Sequence, residues 1–443
     1  MYTIPYAVRK ALEKLNANGF EAYIVGGFVR DMIMNKESHD IDITTDALPW
    51  QISEAFSNFH VIETGIKHGT VTVIIDSLPI EITTYRVESG YTDNRHPDSV
   101  SFSKSLYDDL SRRDFTMNAL AYNPNVGIID RFGCMKDIDN RVIRCIGDPN
   151  ERFGEDSLRI LRALRFSSTL GFTIEQNTRS AISKCCSMMG NLSKERVASE
   201  LIKMLMGKNV KKVLLSFYDE ISYLLPQLAD MKGFEQHNFH HIYDVWEHTA
   251  VVTEQIEAKP HLKLAALFHD CGKPDCFSLD ENNVGHFYSH ASISANKARQ
   301  AIETLKLDTF TKELVEKLVR IHDTPLEINE ITVKKKLNRL GESCLRDLIA
   351  LQRADNLGQA PEFRYRQKQF DELEMLIDKI KDEQQCFSIR SLALNGYDVM
   401  NLGFKGKQVG QVLNMLVDAV IEERVANDKN ALIDFAENNK LDL

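Results

Sequence analysis

Asp40 and Asp42 are the residues of this chain whose types and spacing point most directly to chemistry. In an extended segment, residues two apart face the same side, so both carboxylates point one way while Ile41 and Ile43 point the other, into a core. Two neighbouring carboxylates repel each other, and they persist where a divalent cation sits between them. Hard oxygen donors at this spacing suit Mg²⁺, with a nucleoside triphosphate supplying further oxygens. Just upstream, Gly26 and Gly27 let a backbone approach a phosphate and offer N–H groups at a helix start, where the dipole also favours negative charge.

Three more groups carry chemistry. Arg113 and Asp114, within Arg112-Arg113-Asp114, pair a rigid guanidinium fork that can brace a triphosphate or sugar with a carboxylate that can accept from a ribose 2′-OH; the same residues also read as a surface ion-pair patch. Asp156, Arg159, Arg162 and Arg165 follow at successive i+3 steps on the polar side of a helical pattern. Asp156 and Arg159 fixed side by side would present one acceptor and several donors in a plane, as a Watson–Crick edge does. A plain pair across one helical turn is the alternative, worth about 0.3–0.5 kcal/mol. Further on, His237, His240, His241, His248, His261 and His269 crowd one stretch of a chain with 13 histidines. His269-Asp270 closes an apolar helix and puts a nitrogen and an oxygen donor together, a combination that suits a transition metal.

The elements that must position these groups follow from periodicity. Val8, Leu12 and Leu15 mark an amphipathic helix within residues 1–21, stopped by Asn18-Gly19. Ala22–Val25 predicts a strand, the Gly-Gly pair a tight turn, and Phe28–Met34 a helix. Thr70–Asp76 and Ile80–Arg86 predict a hairpin that carries Glu81 either as a third carboxylate or as a surface acid. Residues 87–111 are polar and turn-rich and read as a long mobile loop. Ile128–Asp130 and Arg141–Arg144 read as two short strands around a glycine turn. Beyond Pro149 the pattern is helical, with lysines and arginines spread over 172–235 that could meet RNA phosphates. Residues 366–443 form a helical tail whose glycines, Gly396 to Gly410, suit a helix-turn-helix connector better than a phosphate loop.

Composition bounds the function. The 443 residues, 43% hydrophobic and 27% charged, suit a globular protein of two to four domains. A net charge of −10 excludes a surface coated in basic residues and confines any nucleic-acid site to a local patch. No run of about 18 apolar residues and no basic-then-apolar leader stands in the sequence, so a cytoplasmic protein without a membrane partner is expected. The eight cysteines form no Cys-x-x-Cys pair and are expected to be reduced.

Gly26-Gly-Phe-Val-Arg-Asp31 with His39-Asp-Ile-Asp42 resembles the first motif of the class II tRNA nucleotidyltransferases, the CCA-adding enzymes and bacterial poly(A) polymerases. Arg112-Arg-Asp-Phe-Thr-Met-Asn118 is similar to that family's second motif, the stretch through Arg144 to its third, and Glu155-Asp-Ser-Leu-Arg159 to its base-recognition motif. The segment from Arg86 through Arg95 to Pro97 is similar to a loop that CC-adding relatives lack. The resemblance implies an α+β fold: a polymerase-β-like nucleotidyltransferase head with a small mixed sheet, followed by helical parts. It implies catalysis at Asp40 and Asp42 with Mg²⁺, and nucleotide binding by Gly26, Gly27, Arg30, Arg113, Asp114, Asp156, Arg159, Arg162 and Arg165. The implied activity is addition of CMP and AMP to the 3′ end of tRNA from CTP and ATP, with poly(A) synthesis as the alternative. A second resemblance, to HD-domains, places His248, His269, Asp270 and Asp355 around a transition metal such as Mn, Ni or Co, with His290 and His322 as candidates for a second ion. A phosphohydrolase with an RNA-binding head is the rival that follows from it. The expected division is a head at 1–145, neck and RNA-binding helices at 146–235, an HD body at 236–365 and a tail at 366–443. The oligomeric state is left open.

Overall fold

The computed structural model describes residues 2–38, 41–66, 69–89 and 99–439. His39, Asp40 and the stretch 90–98, with Arg95, lie outside the described residues. Two compact units divide the chain, Met1–Pro226 and Gln227–Leu443.

The first unit opens with helix α1 (Tyr6–Ala17), closed at Asn18 and followed by Gly19 at φ +85. Strand β1 (Ala22–Val25) runs into helix α2 (Gly27–Ile33), and β2 (Asp42–Thr45) leads to α3 (Pro49–Ala55). Then come β3 (His60–Ile62), β4 (Thr70–Ile75) and β5 (Leu78–Thr84). The β4–β5 hairpin turns at Asp76 and Ser77, both at positive φ (50 and 65), which matches the right-handed twist of the flanking strands. Strands β6 (Arg86–Ser89) and β7 (Ser99–Phe102) pair antiparallel, and α4 (Leu106–Ser111) starts on a Ser105 cap. The expectation of a long mobile loop over 87–111 is thus corrected at its described residues, 87–89 and 99–111: β-branched Val87 favours a strand, and the Ser105 hydroxyl accepts from Asp108 N to start a helix.

β8 (Leu120–Asn123) and β9 (Gly127–Asp130) complete a seven-stranded sheet in the order β3-β4-β5-β2-β1-β8-β9, mixed because β2 and β5 are parallel. Alternation sends Val71, Val73, Ile75, Ile80 and Ile82 into the core, each fully buried and each worth about 1.5–3 kcal/mol of burial. Between residues 130 and 142 the structure has not a bare glycine turn but helix α5 (Cys134–Asp139). Its start is fixed by Asp130, whose carboxylate accepts from Phe132, Cys134 and Met135 N–H groups. β10 (Val142–Ile143) pairs with β11 (Thr173–Ile174) in a separate small sheet.

Helices α6 (Pro149–Glu155) and α7 (Leu158–Leu170) are two elements, not one. Asp156 has extended φ/ψ (−142, 102) and ends α6, so it does not continue the α7 stripe of Arg159, Arg162 and Arg165. Its side chain instead accepts from Leu158 N at 3.0 Å and helps start α7. Helices α8 (Gln176–Cys185), α9 (Lys194–Leu205), α10 (Val210–Ser216) and α11 (Tyr218–Leu224) close the unit.

The second unit is helical apart from the small pair β12 (Ser278–Leu279) and β13 (Gly285–His286). Its helices are α12 (Val245–Gln255), α13 (Pro260–Phe268), α14 (His290–Thr304), α15 (Thr309–Ile321), α16 (Glu330–Leu340) and α17 (Glu342–Leu357). The tail adds α18 (Arg366–Asp382), α19 (Gly396–Asn401), α20 (Lys407–Ile421) and α21 (Lys429–Asn438). Leu402 to Gly406 connects α19 to α20 as the glycines suggest, with Gly403 and Gly406 at positive φ. Among the described residues, no helix is long and apolar enough to cross a membrane. All eight cysteines are free.

Candidate functional site

In the first unit, β1, α2, β2, α7 and α9 converge on a cavity of about 540 Å³. Gly26, Gly27, Arg30, Asp42, Arg113, Asp114, Asp156, Arg159, Arg162 and Arg165 all line it. Gly26 stands at φ +76, which favours glycine, and a Cβ there would come within 3.2 Å of an Arg113 nitrogen and 3.7 Å of Asp42 Oδ2. A Cβ on Gly27 would make only ordinary contact, 3.5 Å from Arg30. Asp42 pairs in register with Glu81 on the parallel strand β5, so the two carboxylates sit on one face. A smaller cavity of about 250 Å³ holds both, together with Arg112 and Arg113.

A continuous run of hydrogen bonds organises the floor. Arg30 donates to both Asp31 oxygens at 2.9 Å and to Asn118 Oδ1 at 2.8 Å; Asn118 Nδ2 donates to Asp114 Oδ1 at 3.0 Å; Arg162 Nε donates to Asp114 Oδ2 at 2.7 Å. Burial alone would push the Asp114 carboxyl up, but Arg162 and Asn118 outweigh it and hold the group down at about 2. The Arg-Arg-Asp cluster is therefore an ordered part of the cavity rather than a surface patch, with Asp114 only 7% exposed. Asp109, fully buried, also stays below the usual carboxylate range: burial raises it, while Arg113 and Arg112 lower it more. It accepts from Thr44 at 3.1 Å and from Arg112 at 2.7 Å and so fixes both arginines beside β2. Among the described residues, Arg113 Nε is buried without a hydrogen-bond partner.

Asp156 and Arg159 do not pair with each other. Arg159 donates to Glu155 at 2.6 Å and to the Arg112 carbonyl at 2.9 Å, whereas Asp156 accepts from Arg196 at 2.6 Å. Arg165 Nε lies 2.9 Å from Glu200, an ion pair without good hydrogen-bond alignment, and its guanidinium stacks 4.1 Å from the Phe166 ring centre. Among the described residues the cavity is lined by eight basic side chains (Arg30, Arg112, Arg113, Arg159, Arg162, Arg165, Arg196, Lys203) and five acidic ones (Asp31, Asp42, Asp114, Asp156, Glu200). That surplus is a local basic patch on a chain with net charge −10, and it suits a polyanionic ligand. Asp109, Arg196 and Glu200 were not legible as site residues, because each acts through a partner on another element. A sequence signal exists only for Asp109, four residues before Arg113.

In the second unit the structure brings together His248 of α12, His269 and Asp270 at the end of α13, and Asp355 of α17, with one donor atom from each within 4.8 Å of all the others. Asp355 Oδ1 lies 2.8 Å from His248 Nε2, and Asp270 Oδ2 lies 3.2 Å from His269 Nε2. Asp270, His290 and His322 form a second such group. Burial would lower His269, but Asp270 and Asp355 raise it to about 10, and both carboxylates are held far below their usual range.

Residues 22–144 match the family profile "Poly A polymerase head domain", residues 171–232 "Probable RNA and SrmB- binding site of polymerase A", and residues 280–436 "tRNA nucleotidyltransferase domain 2". The chain is 33% identical to the CCA-adding enzyme of Limosilactobacillus fermentum over 430 residues, 97% of this chain and 95% of that one. With the CCA-adding enzyme of Ligilactobacillus salivarius it shares 33% over 443 residues, covering 98% and 97%. The crystal structure of the Bacillus stearothermophilus CCA-adding enzyme in complex with CTP superposes with a TM-score of 0.75 at 27% identity, over 98% of this chain and 97% of that one.

Proposed function

The chain belongs to the CCA-adding enzymes, and from that premise we propose how its residues divide the work. It adds CMP and AMP to the 3′ end of tRNA from CTP and ATP, without a nucleic-acid template, and releases pyrophosphate. One observation carries the assignment of residues: the carboxylate of Asp42, the arginine fork of Arg113 and the neck side chains Asp156, Arg159 and Arg162 face a single cavity with surplus positive charge. Asp40 and Asp42 are the metal-binding carboxylates, and Glu81 is the neighbour of Asp42 across the sheet. Among the described residues no histidine or cysteine lines either cavity, and carboxylate oxygens are donors that fit Mg²⁺. When bound, Mg²⁺ lowers the pKa of the terminal ribose 3′-OH and neutralises charge on the leaving pyrophosphate.

Arg113, whose Nε is buried without a partner among the described residues, braces the triphosphate, and Gly26 lets the phosphates approach the backbone. Asp114, held ionised by Arg162, accepts from the ribose 2′-OH and so favours ribonucleotides. Asp156 and Arg159 recognise the base. Each is pinned by a different partner, Arg196 and Glu155, so they form a fixed donor and acceptor array without pairing together. The functional division is a head to residue 145, a neck to 235, a body to 365 and a tail, in a cytoplasmic protein; the last residues of that neck fall beyond the unit boundary at Pro226. Incorporation of labelled CMP and AMP into tRNA trimmed of its last three nucleotides tests the reading. Absence of CMP incorporation, or long AMP tails from ATP alone, overturns it in favour of poly(A) synthesis or of another activity.

A second reading rests on a separate observation, the assembly of His248, His269, Asp270 and Asp355. Five of the six spacings between their donor atoms run from 2.8 to 3.7 Å. A regular tetrahedron around a transition metal has edges of about 3.4 Å. This body holds a transition metal such as Mn²⁺, Ni²⁺ or Co²⁺ and hydrolyses a phosphate ester independently of nucleotide addition. Substituting His269 should remove that metal and spare CCA addition; metal retained in the variant would contradict it.

A further inference from the structure

We infer that Phe166 is a positioning residue of the nucleotide site: its ring holds the guanidiniums of Arg30, Arg162 and Arg165 in one array that meets the triphosphate of CTP or ATP. This role rests on the reading of the cavity as a nucleoside triphosphate site and adds to it the group that arranges its cations.

Phe166 lies on α7, lines the cavity and is 7% exposed. The guanidinium carbons of Arg165, Arg30 and Arg162 lie 4.1, 5.2 and 5.4 Å from its ring centre. Two of these arginines belong to α7 itself, and the third reaches the ring from α2. Phe115, fully buried, packs perpendicular to the ring with the two centres 6.0 Å apart. The ring is thus clamped against the core while three cations gather around it.

Like charges this close repel, and burial removes the water that would screen them. Burial pulls Arg165 below the usual arginine range; Glu200 and Asp114 oppose the fall, and Arg162 and Arg30 add to it. A carboxylate answers each guanidinium at its edge: Asp31 for Arg30, Asp114 for Arg162 and Glu200 for Arg165. The flat faces need a different partner. An aliphatic side chain offers them dispersion alone, whereas the negative face of an aromatic ring attracts a cation.

The three arginines depend on the ring to different degrees. Every nitrogen of Arg30 donates within the protein, to Asp31 and to Asn118, and Arg162 Nε donates to Asp114. Arg165 lacks such an anchor: Glu200, 2.9 Å from its Nε, is out of line, and among the described residues that Nε is buried without a hydrogen-bond acceptor. Arg165 also lies nearest the ring, so its orientation follows Phe166 most closely. A guanidinium fork ordered in advance loses less freedom when it closes on phosphate oxygens. The benefit therefore grows with the number of phosphates on the ligand.

The test varies the charge of the ring and not its shape. In the full chain, phenylalanines carrying successively more fluorine atoms are placed at position 166; each fluorine drains the negative face and leaves the packing nearly unchanged. Binding of CTP and of CMP is measured by calorimetry with Mg²⁺ and without tRNA. The parent should bind CTP at least about tenfold more tightly than CMP. Across the series CTP affinity should fall stepwise, by about tenfold in all, while CMP affinity changes by less than about twofold. Phe166→Leu should show the full loss for CTP, and Phe166→Tyr should keep the parent affinity; the fluorine series stands even if either variant fails to fold. CTP affinity unchanged by fluorine, or CMP affinity falling in step with it, overturns the role of Phe166 and leaves the triphosphate site standing. A parent that binds CTP and CMP equally overturns both.

Discussion

The cavity within residues 26–203 and the histidine cluster within residues 248–355 are both built from charged side chains, yet their charges are arranged in opposite ways. In the first, nearly every carboxylate is closed by an arginine, as Asp114 is by Arg162, Asp156 by Arg196 and Glu200 by Arg165, and basic residues are left in surplus. In the second, four imidazoles and two carboxylates converge beside the Lys273 ammonium. A site with surplus positive charge suits a ligand that brings negative charge; a cluster of imidazoles and carboxylates suits a cation. The first is suited to nucleotide and RNA, the second to metal.

The comparison can be broken most directly at Asp42. Asp42→Ala should slow both CMP and AMP addition by about 10³-fold or more, the scale of losing a principal electrostatic group, while tRNA binding measured by filter retention persists. Turnover near the parent rate would remove Asp42 from catalysis. Asp156→Asn is the next largest: it keeps an acceptor for Leu158 N but alters what faces the base. Selectivity for CTP and ATP over UTP and GTP, read as the ratio of kcat/KM values, should fall by about 10–100-fold; unchanged selectivity would place base recognition elsewhere.

Asp114 sharpens the contrast through pH. Its folded pKa, about 2, lies below the unfolded value of 3.8. Its ionisation therefore stabilises the fold above pH 4, and that contribution disappears as pH falls through 2. Asp114→Asn should cost about 2 kcal/mol at neutral pH by urea unfolding, with the gap to the parent narrowing between pH 4 and pH 2. A gap that does not change with pH would mean that the ion pair with Arg162 is not its source. The smallest effect expected is that of His269→Ala on CCA addition, within about twofold, since His269 belongs to the other compact unit and, among the described residues, shares no partner with the nucleotide site. A large loss would show that the two sites depend on each other.

Much of this was legible in the sequence. The strand, glycine turn and helix of residues 22–33 follow from local periodicity, and Gly26 from the need for positive φ. The hairpin that carries Glu81 and the connector at 402–406 were legible for the same reason: local patterns decide them. What was not legible depends on tertiary partners. The break between α6 and α7 turns on Asp156 adopting an extended conformation to cap the next helix, which an i+3 pattern cannot reveal. The partners that hold the base-recognition pair are Arg196, 40 residues beyond Asp156, and the Arg112 carbonyl, 47 residues before Arg159. The histidines announced a metal by type and number, but only the structure shows that Asp270 belongs to both groups.

The central claim, that the carboxylate site of the first unit carries the chemistry of nucleotide addition and the histidine cluster does not, is tested most directly by resolving the products of trimmed tRNA at single-nucleotide length with CTP alone, ATP alone and both. The parent and His269→Ala should each stop at CC with CTP, complete CCA with both, and add no tail from ATP alone, while Asp42→Ala leaves the tRNA unextended. Extension by Asp42→Ala at the parent rate, or its loss in a folded His269→Ala, would contradict the account.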